Sequence, residues 1–246
     1  MRIVILSTET KHHTYFINKL ARLFEIAGII YERRRLAKSY PTAPFFAEEE
    51  DAFEERFFDP AYGGTLPNLP SELERRVVCA HGVNQVGMPE YIRALEPDVG
   101  ITFGVGKVSA RLFGVPRYGM INVHRGIAGE YRGLDSDLWA IYENRFDQVG
   151  VTIHQVDEEF DTGDILAQER VSVYDTDEIY HLKYKTTVVA TRLVIDVLME
   201  LEDSRKFLHK KKQEKFGRYI SAMSLDQKYE ALRRFTAFKE SSRRGR

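Results

Sequence analysis

Short apolar runs alternate with stretches of helical periodicity from the first residues onward. Arg2-Ile3-Val4-Ile5-Leu6-Ser7 is apolar at consecutive positions, the mark of a strand buried on both faces of a parallel sheet. Phe16, Ile17, Leu20 and Leu23 then recur at helical spacing, and Gly28-Ile29-Ile30-Tyr31 forms a second apolar run. A strand–helix–strand opening commits the chain to an α/β fold with a doubly wound, mostly parallel, Rossmann-like sheet. Residues 77–80, 99–104 and 120–124 are expected as further strands, and residues 88–95 as a helix ended by Pro97.

The turn after the first strand narrows the function. A dinucleotide-binding unit would place Gly-x-Gly-x-x-Gly there. Thr8-Glu9-Thr10-Lys11-His12-His13 has no glycine, which argues against a nicotinamide enzyme. His12 and His13 are adjacent, so their side chains diverge, and no Cys or third His stands nearby at ligand spacing; no metal is expected. The turn lies at the carboxyl end of a strand, where open sheets bind ligands. Lys11, His12 and His13 are therefore candidates for contact with an acceptor phosphate. Gly106-Lys107 does not make a phosphate loop, because Ile101 and Val108 stand where Gly and Ser or Thr are required.

Residues 120–164 carry the chemistry. Alternation along Met120-Ile121-Asn122-Val123-His124 puts Asn122 and His124 on one face and turns Ile121 and Val123 into the core. A second alternating strand, expected over residues 149–156, runs into Asp157-Glu158-Glu159-Phe160-Asp161-Thr162-Gly163, a turn able to present a carboxylate at the sheet rim. An amide, an imidazole and a carboxylate suit the attack of an amine on a carbonyl. N–H donors stabilise the charge that grows on the oxygen. The carboxylate orients the imidazole, keeps it charged and helps move the amine proton. The same groups also suit a structural role, as polar side chains satisfied at a sheet edge.

Asn122-x-His124, Tyr131-Arg132-Gly133, Gly150-Val151-Thr152-Ile153-His154 and Phe160-Asp161-Thr162-Gly163-Asp164 follow one another in an order and approximate spacing that resembles a known family. It is the family of formyltransferases that use 10-formyltetrahydrofolate, with glycinamide ribonucleotide, methionyl-tRNA and sugar N-formyltransferases among its members. The resemblance implies Asn122, His124 and Asp161 as the catalytic trio. It implies a 10-formyltetrahydrofolate donor with its pterin near residues 103–108 and 156–161, bound by Phe103, Gly104, Val105, Gly106, Val156, Glu158 and Phe160. On the acceptor side, Tyr131 and Arg132 of the motif join Lys11, His12 and His13 as candidates. Two departures stand out. Arg125-Gly126-Ile127-Ala128-Gly129 replaces a Ser-Leu-Leu-Pro-like run, with Gly126 at the usual Ser and Gly129 at the usual Pro. Glu143-Asn144-Arg145-Phe146-Asp147 lacks the glycine common after the next helix.

The formal net charge of −1 over 246 residues gives no overall footprint for nucleic acid. Between Ser204 and Arg246, however, 14 Lys and Arg face 4 Asp and Glu. The expected organisation is a catalytic domain over residues 1–203 and a basic extension over 204–246. The extension is either a solvated charged face or a surface for phosphates, polyglutamate or RNA. Residues 33–75 are less regular. A basic run, Arg33-Arg34-Arg35, precedes an acidic, aromatic helix from Glu48 through Phe58, broken by Pro60, Gly63, Gly64, Pro67 and Pro70. This stretch reads as an excursion from the sheet, a lid or a homodimer contact, with Phe45, Phe46, Phe53, Phe57, Phe58 and Tyr62 packing locally.

Further helices are expected over residues 135–142, where Trp139 packs in the core, after Thr176-Asp177-Glu178, and over 225–235. Strands are expected at 165–166 and 171–173, and a short strand or turn at 216–220. Cys79 is the lone cysteine and no apolar run is long enough to span a bilayer, so a soluble cytoplasmic protein is expected. Within the family the expected acceptor is a small phosphate-bearing amine, in the first place a nucleotide-linked amino sugar. Methionyl-tRNA or glycinamide ribonucleotide formylation, formyltetrahydrofolate hydrolysis and a non-catalytic RNA-directed module are the other readings.

Overall fold

The computed structural model describes residues 1–33, 49, 52–54, 57 and 68–244. In chain order the elements are β1 (Arg2–Ser7), α1 (Lys11–Ala21), β2 (Glu25–Glu32), α2 (Ser71–Glu74), β3 (Val77–Ala80), α3 (Met88–Ala94), β4 (Val99–Phe103), α4 (Ala110–Phe113), β5 (Met120–His124), β6 (Tyr131–Gly133), α5 (Ser136–Tyr142), β7 (Gly150–Gln155), β8 (Ile165–Arg170), α6 (His181–Ser204), β9 (Arg218–Ile220) and α7 (Leu225–Arg244). Seven strands form one sheet in the order β3-β2-β1-β4-β5-β7-β8. β1 to β5 pair in parallel, and β7 and β8 are added antiparallel. This is the doubly wound, mostly parallel sheet expected from the sequence.

The consecutive apolar residues of β1 divide between two layers, as a two-residue period requires. Ile3 and Ile5 pack under Phe16, Ile17 and Leu20 of α1 and Leu193, Val194 and Val197 of α6. Val4 and Leu6 pack on the opposite face with Met88 and Ile92 of α3 and Leu112 of α4. From β1 the chain winds outward to β2 and β3, then crosses back to β4 and β5. The carboxyl ends of β1 and β4 therefore lie side by side where the winding reverses. In an open sheet that crevice is where ligands bind.

Several boundaries differ from expectation. The turn expected over residues 8–13 is already helical from Lys11, because the Thr10 hydroxyl caps α1 by accepting the His13 N–H at 3.4 Å. His12 and His13 thus sit buried in the first helical turn. β8 runs unbroken to Arg170, whereas residues 171–173 leave the sheet, with Val171 buried in a second core beside Ile179 and Leu182. α7 runs nine residues beyond the expected end at Phe235. Phe238 stacks on Phe146 at 4.2 Å and Lys239 pairs with Glu178 at 2.5 Å, so its later turns are held as well. After α5 the turn that lacks a glycine uses Asn144 at φ 55°, a left-handed conformation that Asn tolerates.

The basic C-terminal segment is tied into the fold. β9 pairs in parallel with β6, matching Tyr131, Arg132 and Gly133 to Arg218, Tyr219 and Ile220. Ala231 and Phe235 of α7 share the second core with Ile141 of α5. Lys215 and Arg218 pair with Glu130 and Glu143 at 3.0 and 2.8 Å. Of the aromatics expected to pack locally, Phe53 and Phe57 do so, against Tyr15 and Tyr184. The rest of the reading of residues 34–67, including most of the helix expected from Glu48 to Phe58, lies outside the described residues. Among the described residues no helix is long and apolar enough to cross a membrane.

Candidate active site

Asn122, His124 and Asp161 meet at the carboxyl end of β5. Asn122 and His124 lie on one face of β5, with Ile121 and Val123 buried on the other. Asp161 comes from the loop after β7 and adopts a left-handed backbone, φ 55°, rare for a residue other than glycine. Three contacts hold it there. Gly133 N–H donates to Asp161 Oδ2 at 2.8 Å. Gln213, reaching in from the basic segment, donates to the Asp161 and Gly163 carbonyls at 3.1 and 2.7 Å. At Gly163 a Cβ would stand 1.9 Å from the Gln155 carbonyl oxygen, so only glycine permits this return of the chain.

A fourth member, His154, closes the cluster. Asn122 Nδ2 donates to Asp161 Oδ1 at 3.1 Å and lies 3.0 Å from His154 Nε2. His154 Nδ1 lies 2.7 Å from the Gln155 carbonyl, an acceptor only, so the neutral ring carries its proton on Nδ1 and Nε2 accepts from Asn122. Thr102 Oγ1 donates to Asn122 Oδ1 at 2.7 Å, which fixes the amide with its NH2 toward His154 and Asp161. His154 stands in the Gly-Val-Thr-Ile-His strand of the motif, outside the trio that the resemblance implies. The signal was present, since alternation along β7 puts Thr152 and His154 on one face. The register that sets His154 opposite Asn122 appears only once the two strands pair.

His124 faces two oxygens. Its Nε2 is 2.9 Å from the Tyr131 carbonyl and its Nδ1 is 3.5 Å from Asp161 Oδ2. Burial pushes the imidazole below its ordinary value, against the Asp161 carboxylate and the Tyr131 carbonyl, which favour the proton. Burial is therefore set against the standing imidazolium expected from the motif. Either neutral tautomer turns one lone pair toward an oxygen, so the cluster is one proton short of a full set of hydrogen bonds. Burial would also raise Asp161, but the proton that His124 can carry and the Gly133 N–H outweigh it and hold the carboxyl well below the usual range.

The cluster opens into a cavity of about 270 Å³ lined by the loop after β4, the ends of β5 and β7, and His12 and His13 of α1. That volume lies near the lower edge of the roughly 300–1,000 Å³ usual for small-molecule sites. Phe103, Gly104, Val105, Gly106, Val156 and Phe160 line it, as do His12 and His13. Gly104 holds φ +75°, and a Cβ there would stand 2.7 Å from His13. Glu32 accepts the Gly106 N–H at 2.7 Å and so fixes this loop.

Four residues expected at the site stand elsewhere. Glu158 is exposed and outside the cavity wall. Lys11 lies 3.8 Å from Glu54 and borders a separate depression. Tyr131 is buried, donating to Glu143 at 2.8 Å. Arg132 donates to the Gly217 carbonyl at 2.6 Å and faces a neighbouring groove. The motif keeps Tyr131 and Arg132 for the β6–β9 joint. The sequence also gave no hint of Tyr219, brought to the cavity rim by β9, where its ring lies 5.6 Å from that of Phe160.

The sheet topology is that of solved formyltransferases. The chain belongs to the formyl transferase family, whose model matches residues 33–198. Methionyl-tRNA formyltransferase of Sulfurihydrogenibium sp. is 35% identical over 114 residues, 46% of this chain and 36% of that protein. The chain spans about a third to a half of the length of the curated relatives it matches. Among solved structures, a sugar N-formyltransferase from Shewanella sp. superposes with a TM-score of 0.61 over 96% of this chain and 87% of that one, at 17% identity. HypX from Aquifex aeolicus in complex with tetrahydrofolic acid superposes with a TM-score of 0.60 over 92% of this chain and 30% of that one, at 17% identity. At such identities the likeness is one of fold.

Proposed function

We propose that this chain transfers a formyl group from 10-formyltetrahydrofolate to a primary amine of a small acceptor, a nucleotide-linked amino sugar in the first instance. The observation that carries the reading is the meeting of Asn122, His124 and Asp161 around one cavity. The donor supplies an activated formyl carbon. Backbone of residues 103–106, brought close by Gly104, together with Val156 and Phe160 forms the wall against which its pterin lies. The residues of the chain do the rest. Asn122 turns one N–H from Asp161 to the carbonyl oxygen as negative charge grows there. The amine's proton passes to His124, completing the hydrogen-bond set that the neutral ring lacks, and Asp161 stabilises the imidazolium so formed. The proton then goes on to the departing nitrogen.

The sugar acceptor is supported by the solved sugar N-formyltransferase, whose fold the chain matches over nearly its full length. A second reading, formylation of methionyl-tRNA, is favoured by the names of the curated relatives. Incubation with 10-formyltetrahydrofolate and a panel of nucleotide amino sugars, with methionyl-tRNA in a parallel arm, separates them by release of tetrahydrofolate. Release with an amino sugar and none with methionyl-tRNA is expected. Release with methionyl-tRNA alone reverses the choice. Equal formate release with no amine present replaces transfer by hydrolysis.

A further inference from the structure

Arg125 directly follows His124 and lines the same cavity. A guanidinium carries five N–H donors and a permanent charge, and folded chains rarely leave such groups unmet. Elsewhere in this protein Arg2, Arg132, Arg145, Arg192, Arg218 and Arg234 all donate hydrogen bonds. Arg125 donates no hydrogen bond to any described residue; its Nη1 is buried without a hydrogen-bond partner and makes only a loose ion pair with Asp137. The carboxylate of Asp137 stands 3.9 Å from that nitrogen, beyond hydrogen-bond reach, while its other oxygen accepts the Leu138 N–H. About a quarter of the Arg125 side chain is exposed, at 24%.

The cavity is also lined by Asp135, Asp157, Glu159 and Asp161, so an anion would be held only where Arg125 and the two α1 histidines line it. His12 and His13 line the cavity, and the charge of Arg125 acts on both of them and on His124. The Thr8 carbonyl accepts from His13 Nδ1 at 2.9 Å. Thr10 Oγ1 accepts the His13 N–H and stands 3.1 Å from His12 Nδ1, to which its hydroxyl can donate. His12 then keeps its proton on Nε2 as a neutral donor. A fixed cation and a neutral N–H donor lining one cavity suit an oxyanion.

We propose that Arg125, assisted by His12, is an anion subsite that holds a phosphate group of the acceptor. The inference rests on the formyl-transfer reading for what the anion belongs to. Chemistry assigns it to the acceptor rather than the donor. In 10-formyltetrahydrofolate a benzoyl ring separates the formyl-bearing nitrogen from the glutamate carboxylates. With the formyl carbon at His124, those carboxylates lie a ring's length away. Under that reading residues 103–106, Val156 and Phe160 are given to the pterin, which leaves Arg125 and His12 on the same cavity to the acceptor.

Calorimetric titration of the full chain with inorganic phosphate, and separately with tetrahydrofolate and tetrahydropteroate, tests this. Arg125→Gln is expected to weaken phosphate binding at least about tenfold, the scale of a charge-assisted contact, with tetrahydrofolate affinity held within about twofold. Lys206→Gln, in the exposed basic segment, should leave phosphate binding unchanged. Should the Gln variant not fold, Arg125→Lys carries the test, with phosphate binding weakened at least about threefold by loss of the planar fork. Equal phosphate affinity in wild type and variant, or no phosphate binding by the wild type, overturns the proposal. So does loss of tetrahydrofolate but not tetrahydropteroate affinity in Arg125→Gln, which assigns Arg125 to the donor's glutamate. A wild type that binds phosphate through Arg125 but neither folate compound keeps the anion subsite and removes the formyl-transfer reading.

Discussion

Asn122 and His154 are register partners across the antiparallel pair β5–β7, and their side chains meet at 3.0 Å. Directly opposed residues of such a pair have their Cβ atoms about 4.5–5.5 Å apart, so the pairing itself sets the contact and no loop has to fold over to make it. With Thr102 on Oδ1 and His154 and Asp161 at Nδ2, the Asn122 amide has one orientation. His154 is thus a positioning residue for Asn122 under the formyl-transfer reading. His154→Gln is expected to lower kcat by about 10- to 100-fold while KM for the donor stays within a small factor, since only the transition-state contact is loosened. Steady-state kinetics decide it, and an unchanged kcat removes the role.

Asp161 combines a left-handed backbone with an ionised, nearly buried carboxylate. Alanine at this position would confound strain with loss of charge. Asn tolerates the same backbone and can keep one oxygen toward Gly133. Asp161→Asn should therefore fold with a melting temperature close to wild type yet lose about a hundredfold or more in turnover, the scale for a group that supports proton transfer. Calorimetry and a tetrahydrofolate-release assay are read together. Near-normal turnover in a folded variant would falsify the assignment.

The sheet was legible because its strands are short apolar runs, a pattern that survives without knowledge of partners. Asn122, His124 and Asp161 were legible as motif members, two of them on one strand face. What the sequence hid are relations that need pairing. Opposition of His154 to Asn122 depends on register, and Gln213 reaches Asp161 across 52 residues. Tyr131 and Arg132, expected on the acceptor side, show the same limit. The motif reads as a turn, but its residues form a strand that pairs with one from the far end of the chain. Gly133, at φ +96°, would bring a Cβ within 2.1 Å of the Ile220 carbonyl oxygen. The motif glycine is required by that joint, and its N–H is the one that bonds Asp161.

Gln213 tests how far the basic segment supports the site. Its amide satisfies two carbonyls of the Asp161 loop, and Gln213 is itself buried. Gln213→Ala leaves both oxygens unmet, at about 1–3 kcal/mol for a buried group. The expected outcome is a lower urea midpoint together with a reduced kcat, since the backbone that carries Asp161 is loosened. A loss of stability with kcat unchanged would confine Gln213 to the fold.

His12 and His13 give stability an acid limb. Burial lowers both, His12 well below its ordinary value and His13 to about 3. For a histidine lowered in the native state, the unfolded chain binds more protons once the pH falls below about 6.5. The stability each contributes is therefore fully present above that pH and is lost as the pH falls toward its native-state value. The slope approaches about 1.4 kcal/mol per pH unit for each ring while only the unfolded state is protonated. Urea unfolding at pH 7.5, 6.0 and 5.0 should show stability falling progressively between the last two. His13→Gln, which keeps a polar side chain but cannot titrate, should flatten that fall by about one ring's share even if it lowers stability at pH 7.5. Parallel wild-type and variant curves below pH 6 would show that His13 takes up its proton without unfolding, and would place the acid sensitivity elsewhere.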